Sequence, residues 1–246
     1  MSEQREELTI VIPAKNEAEM LPKLLTSLCA QDYPALPATR IVIADAGSTD
    51  HTVDLALAFS DRLRIEIIRG SLPAVGRNAG ARIATSTYVL FLDADVELGE
   101  RTLVRRALEA MRTRRLECCT TNIECRLGGF FDDALYLGNN LMQRIGSMLK
   151  PFATGMFMMF DRDAFWRLGG FNEQALFAED YLLSKEVARN RFTIVPGRVY
   201  TSNRRFRKVG HGRMVWMFAK TMLHSWDTQY FLRDQGYWEE AEQKVA

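Results

Sequence analysis

The chain has 246 residues, 47% hydrophobic and 26% charged, enough apolar material for one large domain or a domain with an appendage. A formal net charge of +1 offers no global field for nucleic acid, so no nucleic-acid partner is expected. The four cysteines (Cys29, Cys118, Cys119, Cys125) lack the paired spacing of a zinc site and read as reduced core thiols, which points to a cytoplasmic setting.

Leu8–Pro13 reads as a buried strand and Asn16–Ala30 as a helix with Leu21, Leu24, Leu25 and Leu28 on one face. Arg40–Ala44 is a second strand ending at Asp45. The turn Ala46–Asp50 caps a helix over His51–Phe59. Leu63–Ile68 is a third strand. Gly70–Gly76 reads as a loop and Arg77–Ala84 as a helix, followed by a fourth strand, Tyr88–Leu92. Strand and helix thus alternate through the first part of the chain, which predicts a parallel sheet with crossover helices. Ligands of such sheets bind at the C-terminal strand ends, where Asp45, Asp93 and Asp95 fall.

Beyond Arg115 the pattern is less regular. Leu116–Glu124 reads as a strand, Phe130–Leu149 as a helix rich in large apolar residues, Phe157–Phe160 as a strand and Arg162–Leu168 as a short helix. Gly169-Gly170-Phe171 makes a turn, Asp180–Asn190 a helix, and Phe192–Thr201 strands broken at Pro196-Gly197. Arg105, Arg106, Arg112, Arg114 and Arg115 read as a solvated basic face. Met1–Glu7 is polar and acidic, so no signal peptide is expected, and no apolar stretch is long enough for a membrane span.

No G-x-G-x-x-G follows the first strand and there is no P-loop, which argues against common NAD enzymes and P-loop NTPases. Two acidic clusters carry more information. Asp93-Ala94-Asp95 ends an apolar strand, and Glu179-Asp180 opens a helix. Oxygen ligands at a strand end suit Mg²⁺ or Mn²⁺, which suit phosphates, and a second acidic pair can supply a general base. Metal, phosphate and base describe group transfer from a phosphate-activated donor.

These residues also match a family. Val11-Ile12-Pro13-Ala14-Lys15-Asn16-Glu17 resembles the opening strand of family 2 glycosyltransferases, and Asp45-Ala46-Gly47-Ser48-Thr49-Asp50 their second motif. Gly76-Arg77-Asn78-Ala79-Gly80 resembles the third, and Asp93-Ala94-Asp95 the D-x-D element. Gly169-Gly170-Phe171-Asn172 followed by Glu179-Asp180 is similar to the G-G-F…E-D segment. Each motif alone is weak evidence; in this order they are strong. The resemblance implies an α/β protein of GT-A fold, with a Rossmann-like, mostly parallel central sheet flanked by helices. It also implies a nucleotide-sugar donor, a divalent metal and inversion at the anomeric carbon. The expected layout is a transferase domain over residues 1–210, split into a nucleotide half (1–100) and an acceptor half (101–210), with a helical extension over 211–246.

The resemblance further implies roles for single residues. Asp95 contacts the metal, and Asp93 contacts the ribose or the metal's water shell; with Ala94 they form the donor element. Their bland reading is a pair of turn residues capping a helix from Gly99. Asp180 is the general base and Glu179 orients the site, unless both merely complement a helix N-terminus. Asp45 accepts from a base N–H of uracil or guanine, Glu17 accepts from ribose hydroxyls, and Pro13, Ala14 and Asn16 line the same donor pocket. The competing readings are a turn former for Asp45 and a first-turn helix acid for Glu17. Arg77 reaches the base or the diphosphate, or forms a salt bridge on a helix. Thr154-Gly155 shapes the acceptor floor, where Gly155 leaves room for the sugar, or is a plain turn. Arg204 and Arg205 close over the diphosphate. His211, between glycines, is a candidate third metal ligand.

The segment from Arg213 to Trp238 is rich in Met, Phe and Trp and reads as core, a homodimer interface or a peripheral membrane contact; the last would put the protein at the inner face of the membrane. Two other functions share this architecture. A sugar nucleotidyltransferase normally carries a glycine-rich loop after the first strand, where this chain has Ala14-Lys15-Asn16-Glu17. A non-catalytic nucleotide-sugar binding protein would not need Asp93, Asp95 and Asp180. UDP- and GDP-sugars both remain open as donors, and the hydroxyl acceptor, lipid-linked or not, is not specified.

Overall fold

The computed structural model describes residues 6–126, 128–204, 210, 212, 216, 220, 223, 224 and 227–232. The strands are β1 (Leu8–Ala14), β2 (Arg40–Asp45), β3 (Arg64–Arg69), β4 (Tyr88–Phe91), β5 (Val96–Leu98), β6 (Cys118–Cys125), β7 (Met158–Asp161) and β8 (Phe192–Thr201). The helices are α1 (Leu21–Cys29), α2 (Thr52–Leu57), α3 (Pro73–Ile83), α4 (Leu103–Arg114), α5 (Phe130–Met148), α6 (Arg162–Arg167), α7 (Glu179–Ser184) and α8 (Thr228–Leu232).

The strands form one sheet in the order β3-β2-β1-β4-β7-β6-β8-β5. β3, β2, β1 and β4 are parallel, β7 is antiparallel to both β4 and β6, β8 runs parallel to β6, and β5 antiparallel to β8. The chain winds from β1 outward to β3 and then crosses to place β4 on the other side of β1. That reversal makes the C-terminal ends of β1 and β4 a topological switch point, the place where open parallel sheets bind ligands.

Alternation along the strands separates two cores. Ile10, Ile12, Ile41 and Ile43 face the layer of α1 and α4, while Val11, Val42, Val89 and Phe91 face α3 and α6. Cys118 and Cys119 divide the same way, one into each core. On the second face the rings of Phe91, Phe165 and Phe171 lie 4.9 to 5.4 Å apart. α3 lies close to the sheet because its glycines allow it: a Cβ on Gly80 would fall 2.4 Å from Val11 Cγ1.

Several elements depart from the sequence-based expectation. The first helix begins at Leu21, because Asn16 sits in the left-handed region (φ 53°) and residues 16–20 form a turned loop. α3 begins at Pro73, four residues before the expected start, with the proline in the first turn where its missing N–H costs nothing. β5, three residues long and absent from the sequence reading, follows Asp95 and pairs with the end of β8. β8 is one strand, in which Pro196 and Gly197 (φ 139°) are absorbed by a register shift opposite Thr120–Asn122. α7 stops at Ser184, whose buried hydroxyl bonds back to Tyr181 O and accepts from Ala153 N–H; Val187 then turns into the core. The basic residues of α4 do form the expected solvated face, and several are also paired: Arg105 with Asp32, Arg112 with Glu7, and Arg106 with Pro196 O.

The region expected as a helical extension, 211–246, lies mostly outside the described residues. Within it, Phe231 of α8 is fully buried against Ala175, Phe177 and Leu182, and its carbonyl accepts from Leu176 N–H. No helix among the described residues is long and apolar enough to cross a membrane.

Candidate active site at the strand ends

Two loops at the ends of β1 and β2 are tied together before any ligand is considered. The Asn16 side chain accepts from Thr49 N–H (2.8 Å) while its own N–H donates to Ser48 Oγ (2.9 Å). Glu17 N–H donates to Thr52 Oγ1 (2.8 Å) and Ala18 N–H to Asp50 (3.1 Å). Asp45 accepts from the N–H groups of Gly47 and Ser48 and from the Ser48 hydroxyl (2.5 Å). Asp45 therefore does form its turn, and the same bonds hold its carboxylate in a set direction. Pro13 and Ala14 precede this knot on β1, and Ala14 pairs with Asp45 across the sheet.

Asp93, Ala94 and Asp95 follow β4 on the adjacent rim. Arg204 Nη2 lies 2.5 Å from Glu17 Oε1 and 3.8 Å from Asp95 Oδ2, so its cation sits between Glu17 and the D-x-D element. Burial pushes the Glu17 carboxyl up, against the pull of Arg204. Its other oxygen, Oε2, is buried without a hydrogen-bond partner. These are hard oxygen donors that need positive charge, and they suit Mg²⁺ or Mn²⁺. Among the described residues no three His, Cys, Asp or Glu side chains converge as a metal site. An ion held here would complete its shell with phosphate oxygens and water, as Mg²⁺ ordinarily does.

The two acidic clusters meet through Arg77. This residue is 3% exposed; Nη2 donates to Asp93 Oδ1 (2.5 Å) and Nη1 to Glu179 Oε1. Burial opposes the guanidinium charge, but Asp93, Glu179 and Asp180 hold it protonated. The guanidinium also lies 5.3 Å from the Phe171 ring centroid. Of the two readings for Arg77, the structure therefore shows the salt bridge, here buried and shared by two carboxylates. Gly155 leaves room for it: a Cβ there would stand 2.3 Å from Arg77 Nη2.

Asp180 completes the cluster. Its Oδ2 accepts from Gly155 N–H and its Oδ1 from Tyr181 N–H, both at 2.7 Å. Burial and the adjacent Glu179 push its carboxyl up to about 7, while Arg77 and the two N–H donors pull the other way. A carboxylate near neutrality is suited to general-base work. Ala178, which precedes the pair as the N-cap of α7, has φ 55°, a left-handed conformation that costs a non-glycine residue roughly 1–2 kcal/mol. Thr154 keeps a buried hydroxyl oxygen without a partner beside this carboxylate's donor, Gly155.

Sequence reasoning gave Asn78 no role. Its amide donates to Phe171 O (2.8 Å) and Glu173 Oε1 (2.9 Å) and accepts from Phe171 N–H (3.0 Å). It clamps the Gly169-Gly170-Phe171 turn, whose glycines have φ 94° and 68°. Its place beside Arg77 in the third motif was the available signal. Arg205 and His211 lie outside the described residues.

A family model, glycosyl transferase family 2, matches residues 9–169. Validoxylamine A glucosyltransferase of Streptomyces hygroscopicus subsp. jinggangensis is 37% identical over 120 residues, 46% of this chain and 28% of that protein. A PGL/p-HBAD biosynthesis glycosyltransferase of Mycobacterium bovis is 37% identical over 102 residues, 40% and 39% of the two chains. The matches thus span less than half of these relatives. Among solved structures, the mannosyltransferase PcManGT from Pyrobaculum calidifontis, in complex with GDP-Man and Mn²⁺, has a TM-score of 0.66 at 21% identity over 89% of this chain and 62% of that one. S. aureus TarS 1-349 with UDP-GlcNAc has a TM-score of 0.62 at 20% identity, covering 80% and 59%. These likenesses show the GT-A fold. With the family model matched over most of the chain, the protein belongs to glycosyl transferase family 2.

Proposed function

We propose that the chain transfers a sugar from a nucleoside-diphosphate sugar to a hydroxyl acceptor, with inversion at the anomeric carbon. The observation that carries this reading is the bridge Asp93–Arg77–Glu179, which joins the D-x-D element to the Glu179-Asp180 pair although they lie far apart in sequence. Neighbours of the same fold have been captured with UDP-GlcNAc and with GDP-Man and Mn²⁺, so a donor of either base fits this architecture.

In this reading Asp45 accepts from the base, with Pro13, Ala14 and Asn16 around it, and Glu17 accepts from the ribose. Asp95 and Asp93 would hold Mg²⁺ or Mn²⁺, which would supply Lewis-acid stabilisation of the leaving diphosphate. Arg204, now on Glu17 and 3.8 Å from Asp95, would exchange these carboxylates for phosphate oxygens when donor binds. Asp180 accepts the acceptor hydroxyl's proton as that oxygen attacks the anomeric carbon and the nucleoside diphosphate departs. Glu179 and Arg77 position Asp180; Thr154 and Gly155 border the acceptor side. No step needs a covalent enzyme intermediate, because one carboxylate on one face suffices for direct displacement.

The test is donor binding against turnover in Asp180→Asn. Binding of a nucleotide sugar should be unchanged while transfer and slow donor hydrolysis fall together by about 10²-fold or more. Retained turnover would remove Asp180 from the base role.

A further inference from the structure

α5 is amphipathic in the reverse sense. Several of its polar residues face the protein: Asn140 exchanges two hydrogen bonds with the Ile123 backbone, Asp132 accepts from Gly129 N–H and from Asn203, and Gln143 is buried. Tyr136 packs against the core, but most of its large apolar residues face outward. Phe130, Phe131, Leu137, Leu141, Met148 and Leu149 are 56% to 80% exposed, with Ile145 completing the row. Positions 130, 134, 137, 141, 145 and 148 recur at the spacing of one helix face, so the stripe runs the full length of α5, about 28 Å. Scattered exposed leucines need no explanation, but a continuous stripe on one helix marks a contact surface.

The charges beside the stripe favour one occupant. The exposed charged residues at its C-terminal half are Arg144 and Lys150, both basic; the acid Asp133 stands at the other end, and Asp132 is turned inward. Trp216, on the described part of the tail, is also 60% exposed. We propose that the outward face of α5 seats the protein on an anionic lipid bilayer, apolar side chains in the interface and Arg144 and Lys150 at the headgroups. From Met148 the chain runs directly through Lys150 and Phe152 to Gly155, which bonds Asp180. Seating α5 on a membrane therefore holds the candidate cleft beside the bilayer surface. The docking itself stands apart from the transferase reading.

The test is vesicle flotation of the full chain with phosphatidylcholine vesicles, with and without phosphatidylglycerol, alongside light scattering in solution. Wild type should float with the anionic vesicles. Leu137→Glu with Leu141→Glu should reduce partition by about tenfold or more, with melting temperature and nucleotide binding unchanged. Arg144→Ala with Lys150→Ala should weaken binding to the anionic vesicles only. Absence of flotation, or flotation indifferent to the leucine changes, would overturn the proposal. So would a wild-type dimer that the leucine changes convert to monomer, since the occupant would then be a second copy.

Discussion

Replacing Arg77 by Met separates a clamp from a donor-binding arginine. Methionine keeps much of the stem volume and removes the charge. Asp93, with a side chain 29% exposed, can recover hydration; Glu179, at 11%, is left without its cation. Breaking a buried pair on one side costs roughly 3–5 kcal/mol, a large part of the 5–15 kcal/mol that an ordinary domain has in reserve. The double change Arg77→Met with Glu179→Gln removes the orphaned charge as well and should recover at least about half of that loss. Urea unfolding of the two variants measures both. In whatever folded Arg77→Met remains, Asp180 loses a neighbouring cation, so its carboxyl rises further and the acid limb of the rate profile moves to higher pH. Equal stability of the two variants would refute the clamp. A folded Arg77→Met protein of normal stability that no longer bound nucleotide would instead make Arg77 a donor contact.

Other expectations follow from neighbouring geometry. Gly155→Ala forces a Cβ against the pinned Arg77 guanidinium and should cost about 1–3 kcal/mol, read by urea unfolding, with loss of turnover. Asn78→Ala removes the clamp on the Phe171 backbone and should destabilise by about 1–3 kcal/mol; a neutral result would assign the Gly169–Phe171 turn its own stability. Ala178→Gly relieves a left-handed alanine and should raise stability by about 1 kcal/mol, with turnover reporting whether that strain helps place Asp180. Asp180 also has a pH signature. Its native carboxyl titrates near 7, above the unfolded value of 3.8, so the native state holds the proton between those pH values and this group's contribution to stability falls as pH rises through that window. Asp180→Asn should then be more stable than wild type at pH 8 and lose that advantage below about pH 4.

Much of the parallel half of the sheet could be read from sequence because its signals are local. An apolar run ending in Asp93-Ala94-Asp95, or in Asp45 before a glycine turn, states the strand and the carboxylates at its end within a few residues. What joins the clusters was not local. The partners of Arg77 lie 16 and 102 residues away, and nothing within the third motif says whether its cation meets a phosphate or two carboxylates. Gly155 was legible as a position where space is needed, but the space houses Arg77. β5 is three residues long, too short for periodicity to register, and Pro196-Gly197 reads as a break because a bulge inside β8 uses the same residues as a turn. The outward stripe of α5 was visible as apolar spacing, which by itself is indistinguishable from core.

Calorimetry of UDP- and GDP-sugars, with and without Mn²⁺, on wild type and Asp95→Ala tests the transferase reading most directly. Metal-dependent binding of one nucleotide class, lost in the variant, is the expected result and names the base. Binding of neither class under any condition would contradict a nucleotide-sugar transferase and leave the strand-end carboxylates without that role.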